Sequence, residues 1–428
     1  MLLKVVFRGI LVCAAFLPNP VTAQPIDRAE INRGAYLARV GDCVACHTAG
    51  PQAPPFAGGV SLNSPFGKIY SANITPDPIN GIGRYTLYDF SRAVRNGINK
   101  DGSRLYPAMP YPSFTRITDE DIRALYAYFM SEVQPVDYKP PETELPFPFN
   151  IRWGLIFWDA VFVKHERYKP RNDRDAQWNR GAYLVQSLGH CGTCHTPRGL
   201  AFQEKAYTES SPMYLKGAVI DNWFASNLTG DLASGLGRWS EADTASFLAT
   251  GYGGQITALG SMTSVVENST QYLHKDDLNA IAHYLKSLPA NDEKASYKPD
   301  LPSVAITLSA MVTGEVERPG AGLYNSFCVK CHQETGDGEP GKFPKLAGNS
   351  MVLSENATSL IRLLLEGSNT AQTREGSKPQ EMPAFAEKFT NRQIAEVLTF
   401  IRNSWGNKAP PVTPREVSLL RRRVQRKP

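Results

Sequence analysis

The sequence predicts an all-α protein of three small tandem domains joined by irregular linkers. Three observations carry this. The motif Cys-x-x-Cys-His occurs three times, at Cys43/Cys46/His47, Cys191/Cys194/His195 and Cys328/Cys331/His332. Strings around the first two copies recur in the same order, the mark of an internal repeat. Each copy is followed, well downstream, by a stretch whose apolar residues keep helical spacing.

In the first unit, Arg33-Gly34-Ala35-Tyr36-Leu37 precedes the motif, and Asn73-Ile74-Thr75 and Gly81-Ile82-Gly83-Arg84-Tyr85 follow it. The second unit repeats these as Arg180-Gly181-Ala182-Tyr183-Leu184, Asn227-Leu228-Thr229 and Gly235-Leu236-Gly237-Arg238-Trp239, the last two at an offset of 154 residues. The third keeps Gly322-Leu323-Tyr324 before its motif and Pro344-Lys345-Leu346 after it. Thr118 and Asp121 form a capping start for a closing helix over 119–133, with Ile122, Leu125, Tyr126 and Phe129 on one face. Residues 276–288 (Leu278, Ile281, Tyr284, Leu285) and 391–405 (Ile394, Val397, Leu398, Ile401) repeat the pattern. A glycine before each motif lets the opening and closing helices cross closely. The predicted order is a signal peptide over 1–23, domains over 24–138, 173–290 and 317–406, linkers over 139–172 and 291–316, and a basic tail over 407–428.

Cysteine usage fixes the chemistry. Of seven cysteines, Cys13 falls in the signal peptide and the other six all sit in the motifs. Two cysteines three apart with a histidine directly after is the attachment signature of haem c. Each thiol bonds one vinyl group, and the histidine beneath the ring is the proximal iron ligand. A thioredoxin-like pair needs no histidine, and a zinc site wants two cysteine pairs brought together. Three complete copies with no cysteine left over, in an exported chain, argue against both. The units are therefore expected to be cytochrome c domains carrying three covalent haems.

The sixth iron ligand is sought among the methionines, since Met/His ligation is common in electron-transfer cytochromes. Met109 lies in Tyr106-Pro107-Ala108-Met109-Pro110, 62 residues after His47, and Met382 opens Met382-Pro383-Ala384-Phe385, 50 residues after His332. Both sit in Pro-flanked loops ahead of a closing helix, placed to reach back over the ring. In the second unit Met262 follows His195 by 67 residues, whereas its rival Met213 follows by 18, too early to match the other units. Met130, within a helix, reads as core filler. Arg84 and Arg238 have two readings: residues of simple glycine turns, or partners of haem propionates.

Lys4 and Arg8, an apolar run over 10–17 and the small-residue site Val21-Thr22-Ala23 make the N-terminus a secretory signal too short to span a bilayer. Val12 argues against a lipoprotein site at Cys13. The expected location is the periplasm, at the outer face of the cytoplasmic membrane. The last fourteen residues hold six basic side chains and one acid against a net charge of +5 for the whole chain, so the basic character belongs to the tail. The body carries no nucleic-acid footprint. The tail suits either an anionic membrane surface or a solvated end. The aromatic stretch over 151–163 is too short to cross a bilayer; it reads as a helix across an interdomain seam or as an apolar docking patch.

With these residues in view, the chain resembles the triheme cytochrome c subunits of bacterial membrane-bound dehydrogenases of the gluconate 2-dehydrogenase, fructose dehydrogenase and quinoprotein alcohol dehydrogenase type. The resemblance runs from about Arg33 to Trp405. It rests on Gly41-Asp42-Cys43-Val44-Ala45-Cys46-His47-Thr48, Ser71-Ala72-Asn73-Ile74-Thr75-Pro76-Asp77, Tyr106-Pro107-Ala108-Met109-Pro110-Tyr111-Pro112, Gly189-His190-Cys191-Gly192-Thr193-Cys194-His195-Thr196-Pro197-Arg198 and Ser404-Trp405-Gly406-Asn407. It implies a complex of three subunits, one of them small. A large subunit with flavin or pyrroloquinoline quinone oxidises a sugar, sugar acid or alcohol, and the cytochrome passes the electrons to ubiquinone in the membrane. The chain departs from part of the family in ending soon after Trp405 in a short basic tail. The competing reading is a peroxidase-like haem enzyme with one open iron position, against which the three methionines argue.

Overall fold

The computed structural model describes residues 27–254, 256–290, 297–313, 318–376 and 378–425. The expected signal peptide, Cys13 included, lies outside them, as do parts of the second linker.

Each unit is framed by two helices. The opening helices are Arg28–Val40, Ala176–Gln186 and Ala321–Phe327, and the closing helices are Asp119–Ser131, Lys275–Lys286 and Asn391–Arg402. Their starts follow local chemistry: the side chains of Asp27, Asp175 and Thr118 each accept a backbone N–H of the first turn, and Thr390 forms a capping box with Gln393. The closing helices end two or three residues earlier than the periodicity predicts. The crossing glycines are Gly34 and Gly181, where an added Cβ would stand 1.9 Å from the Ala124 carbonyl oxygen and 2.0 Å from that of Ala280. No side chain fits between backbones that close. In the third unit the crossing residue is Gly320, not Gly322: a Cβ on Gly320 would meet the Glu396 carbonyl oxygen at 2.4 Å, while Gly322 faces open space.

The all-α expectation needs one correction, because the mostly helical chain also contains, among the described residues, four two-stranded antiparallel hairpins. Two of them, Ser61–Ser64 with Gly67–Tyr70 and Ala218–Ile220 with Trp223–Ala225, return the chain beneath the first and second motifs. Their strands are three or four residues long. That is too short for alternation of apolar and polar residues to stand out in the sequence.

The first two units share one continuous apolar core, from Leu37 in the first opening helix to Leu288 after the second closing helix. They are joined by a pseudo-twofold exchange of polar contacts. Tyr36 of the first unit donates to Asp277 of the second at 2.5 Å, and Tyr183 of the second donates to Asp121 of the first at 2.5 Å. Each tyrosine oxygen also accepts the backbone N–H of the residue capping the other unit's closing helix, His274 at 3.2 Å and Thr118 at 3.3 Å. Each aspartate, third in its helix, is held by an arginine of its own unit: Arg180 Nε to Asp277 at 2.7 Å and Arg33 Nε to Asp121 at 2.8 Å. Equivalent residues thus meet their counterparts reciprocally, as in an isologous dimer interface.

The third unit has its own core. It is tied to the second by Phe224 N–H donating to Ser359 Oγ at 2.8 Å, by Ser359 Oγ donating back to the Phe224 carbonyl at 3.0 Å, and by Arg362 donating to the Asp221 carbonyl at 2.6 Å. The tail forms the helix Pro414–Gln425, with Val417 and Leu420 buried in that core. Arg421 in this helix bonds Asn391 and the Ala386 and Phe389 carbonyls. Up to Gln425 the basic tail is therefore a folded part of the third unit, with Arg422 and Arg423 outward. The first linker holds the helix Leu155–Phe162, and the second holds Leu301–Thr313. Among the described residues no helix is long and apolar enough to cross a membrane.

Candidate haem-binding site

Each motif folds about a single helical turn, Cys43–His47, Gly192–His195 and Val329–His332, the last two with Cys191 and Cys328 at the N-cap, so both cysteines and the histidine sit on one short piece. The three histidines are held alike. His47 Nδ1 lies 2.6 Å from the Ala72 carbonyl oxygen, His195 Nδ1 2.6 Å from that of Ser226, and His332 Nδ1 3.0 Å from that of Pro344. A carbonyl only accepts, so Nδ1 carries the proton and Nε2 keeps its lone pair for a metal. Burial lowers the pKa of all three imidazoles, which favours this neutral form.

A second bond fixes the turn itself. The histidine carbonyls accept the N–H of Gly58 at 2.8 Å, Gly217 at 2.7 Å and Gly338 at 3.1 Å. These glycines have φ of 78°, 94° and 64°, and a Cβ would approach the returning chain to 2.4 Å at Ala72, 2.9 Å at Phe224 and 2.4 Å at Phe343. Only glycine takes that conformation with the strand so near. Sequence reasoning missed this brace. A signal was present: Ala72 and Ser226 stand directly before the repeated Asn-Ile-Thr and Asn-Leu-Thr strings, and Pro344 opens Pro-Lys-Leu. Those strings lock the carbonyls in place. The side-chain oxygens of Asn73 and Asn227 accept the N–H of Thr75 at 2.9 Å and Thr229 at 2.8 Å.

The methionines are placed differently from one another. Met382 and His332 line the same cleft, of about 700 Å³, with Cys328, Leu346, Val352, Leu364 and Leu398. Met109 packs against the shared core together with Cys43, and its loop is closed by Met109 N–H bonding the Tyr106 carbonyl at 3.1 Å. Met262 lies on the helix Ser261–Asn268, which precedes the second closing helix as the Met109 loop precedes the first. It packs with Phe247, Ala258, Val266 and Ala371, whereas Met213 packs against the core that includes Cys191.

The motifs adjoin one another. His190 Nε2 reaches the Gly41 carbonyl at 3.4 Å. Burial, with the neighbouring charges of Asp42 and Cys194, pushes the Cys46 thiol up to about 11. Ile256, Thr257 and Leu259 of the second unit line the third cleft. Of the two arginines beside the glycine turns, Arg238 donates to the carbonyls of Leu232 at 2.6 Å and of Gly348, and stacks over Tyr297, clamping the seam between units two and three. Arg84 is exposed.

Burial drives the Cys43, Cys191 and Cys328 thiols up to about 12. A disulfide-exchange pair needs the opposite shift. Among the described residues no three His, Cys, Asp or Glu side chains gather as a metal-binding cluster, which leaves the zinc reading without a site. The donor set, one neutral imidazole with its outer nitrogen anchored beside two unbridged cysteines, fits covalent haem c.

Comparison with known proteins agrees. The chain is 48% identical over 400 residues to the alcohol dehydrogenase (quinone) cytochrome c subunit of Gluconacetobacter polyoxogenes, covering 92% of this chain and 85% of that one. It belongs to the family of dehydrogenase cytochrome c subunits. The gluconate 2-dehydrogenase cytochrome c subunit of Pantoea cypripedii is 45% identical over 92% of this chain and 90% of its own length. The fructose dehydrogenase cytochrome subunit of Gluconobacter japonicus is 40% identical over 94% and 84%. The Cytochrome c family model matches residues 318–405, which lie in the third unit, the one least like the other two. As in these relatives, the role is electron transfer and not substrate oxidation, so the peroxidase-like reading is set aside. The family implies covalent haem c.

Proposed function

We propose that this chain is a periplasmic three-haem electron relay, built as three tandem cytochrome c domains. It accepts electrons from a dehydrogenase subunit that oxidises a sugar, sugar acid or alcohol, and delivers them to ubiquinone at the membrane. The observation that carries the count of three is the shared brace on His47, His195 and His332, each with Nδ1 on a carbonyl and its own carbonyl on a glycine N–H. Cys43, Cys46, Cys191, Cys194, Cys328 and Cys331 would hold the groups covalently, and His47 with Met109, His195 with Met262 and His332 with Met382 would ligate the three irons.

When bound, haem c supplies reversible one-electron chemistry. The chain supplies the rest. The carbonyls of Ala72, Ser226 and Pro344 keep each imidazole in one tautomer and one orientation. A methionine thioether as the second ligand would raise the reduction potential. Leucine and valine side chains around the third site, and the shared core beside the first two, exclude water. The reciprocal contacts of Tyr36 and Tyr183 hold the first two sites at fixed separation, and the Phe224–Ser359 contact does so for the second and third. Contact of the first motif with the second, and of the second unit with the third cleft, favours transfer in series with the second site in the middle.

The partner follows from the relatives, each named as the cytochrome subunit of an alcohol, gluconate or fructose dehydrogenase. A flavin or pyrroloquinoline quinone in the large subunit, and a small third subunit, complete the proposal. The test replaces Cys191 and Cys194 by alanine in the co-purified complex. One haem is expected to be lost, with substrate-dependent quinone reduction interrupted. Undiminished quinone reduction would place the second site off the path.

A further inference from the structure

We propose that the outward face of the helix Leu155–Phe162, with the turn before it, is the seat of this chain on a lipid bilayer. This rests on reading the chain as a membrane-associated subunit, and it names the surface that makes the contact.

The helix is inverted relative to an ordinary surface helix. Its inner face holds the charge: Asp159, buried, accepts from Tyr111 Oη at 2.7 Å and pairs with Arg104 at 2.7 Å. Its outer face holds the apolar stripe. Trp153, Ile156, Phe157 and Val161 are 65%, 47%, 66% and 72% exposed, and Ala160 is exposed beside them. Positions i, i+3, i+4, i+7 and i+8 form the stripe that normally meets a core. Phe147, 79% exposed, precedes it, and Leu200 of the second unit stands fully exposed next to Ala201, whose carbonyl accepts the Trp158 indole N–H at 3.0 Å.

The chemistry of the stripe selects the occupant. A protein interface carries about one hydrogen bond per 100–200 Å², yet along this stripe the only side-chain polar group is the Trp153 indole N–H. The hydrocarbon boundary of a bilayer asks for no hydrogen bonds and takes a tryptophan at its edge. Exposed Lys164 and Lys169 follow the helix directly and suit anionic headgroups, while the acid between them, Glu166, is paired with Arg116 at 3.2 Å. Eight residues reach about 12 Å, enough to lie in the interface and far short of spanning it. The seat is also mechanically tied to the first site. Arg152 bonds the Arg104 carbonyl at 2.8 Å and stacks on Tyr106, while Tyr106 and Tyr111 flank Met109. The first unit is thereby the one held against the lipid.

The test is flotation of the haem-loaded mature chain, and of its complex with the dehydrogenase subunit, with vesicles of phosphatidylcholine containing one third phosphatidylglycerol. Wild type and complex are both expected to float. Phe157→Glu combined with Val161→Glu should lower the bound fraction about tenfold or more, and Phe157→Leu should keep it. Ala160→Glu on the same face serves as an independent variant and should lower the bound fraction likewise, and an unchanged visible haem spectrum certifies that each variant is folded. Flotation of the Glu variants equal to wild type overturns the proposal. So does a wild type that stays in solution, or a Glu variant that still floats but loses the dehydrogenase subunit. Haem reduction by that subunit plus its substrate, followed in detergent on the same preparations, reports on the relay reading separately: its failure in wild type would sink the relay and leave the vesicle result standing.

Discussion

Tyr36→Phe removes one oxygen from the seam between the first two units. That oxygen donates to Asp277 at 2.5 Å and accepts the His274 N–H at 3.2 Å. A hydrogen bond to a charged group contributes about 1.5–3 kcal/mol. Asp277 keeps both bonds from Arg180, at 2.7 Å each, so its carboxylate is not left unpaired. The loss should therefore fall at the low end, about 1.5–2 kcal/mol. Tyr183→Phe deletes the mirror contact to Asp121 and should cost the same. The two contacts share no hydrogen bond, though Arg180, which pairs with Asp277, also lies over the Tyr183 ring at 5.8 Å, so the double variant should lose up to about 3–4 kcal/mol. For a body of this size, 1 kcal/mol moves Tm by about 2–4 °C. The double variant should melt on the order of 10 °C lower, by circular dichroism in the helical band, with its covalent haem content unchanged. Tm within a degree or two of wild type would mean that the apolar core alone holds the units together and that the reciprocal contacts are incidental.

Further outcomes follow from the same structure. Gly34→Ala and Gly181→Ala should each cost about 3 kcal/mol or more because the new methyl meets backbone; Gly322→Ala, facing open space inside a helix, should stabilise by about 0.5–1 kcal/mol, and thermal melts distinguish the two cases. Met109→Ala, Met262→Ala and Met382→Ala should each keep every covalent haem and lower one midpoint potential in a spectroelectrochemical titration, while Met213→Ala should leave all potentials in place; the reverse for the 262/213 pair would reassign the second ligand. Asp277 is pushed up by burial, but bonds from Arg180 and Tyr36 outweigh this and hold it below the ordinary carboxylate value. Its stabilisation is present above about pH 4 and is lost as pH falls through the depressed native value. Burial and Asp277 raise Tyr36 above its ordinary value, so that contribution is full below about pH 10 and declines as pH rises above it. Tm against pH should show both edges in wild type, and Tyr36→Phe should remove its share of the alkaline one.

The attachment motifs, the closing helices and two of the three crossing glycines were legible because each is a local pattern. Cys-x-x-Cys-His is complete within five residues, and Ile122, Leu125 and Phe129 announce their helix by spacing alone. What escaped was of another kind. Tyr36 and Asp277 lie 241 residues apart, and nothing beside either one names the other. Alignment on Tyr324 points to Gly322 because it matches letters, whereas the structure puts Gly320 at the point where two backbones cross. The tail read as a basic end because its six cations dominate composition; Val417 and Leu420, three apart, were the quieter signal that one face is buried. The stretch over 151–163 offers two readings; the structure places Trp158 and Asp159 in the seam and leaves Trp153 and Phe157 exposed, where docking is a proposal.

The central claim is that three equivalent braces hold three haems. Intact-mass measurement of the mature chain, purified from a host with haem c maturation and paired with haem staining after denaturing electrophoresis, tests it most directly. The expected mass is that of the chain without residues 1–23 plus three haem groups, falling by one haem when Cys328 and Cys331 are both replaced by alanine. A wild-type mass with two haems or fewer would contradict it.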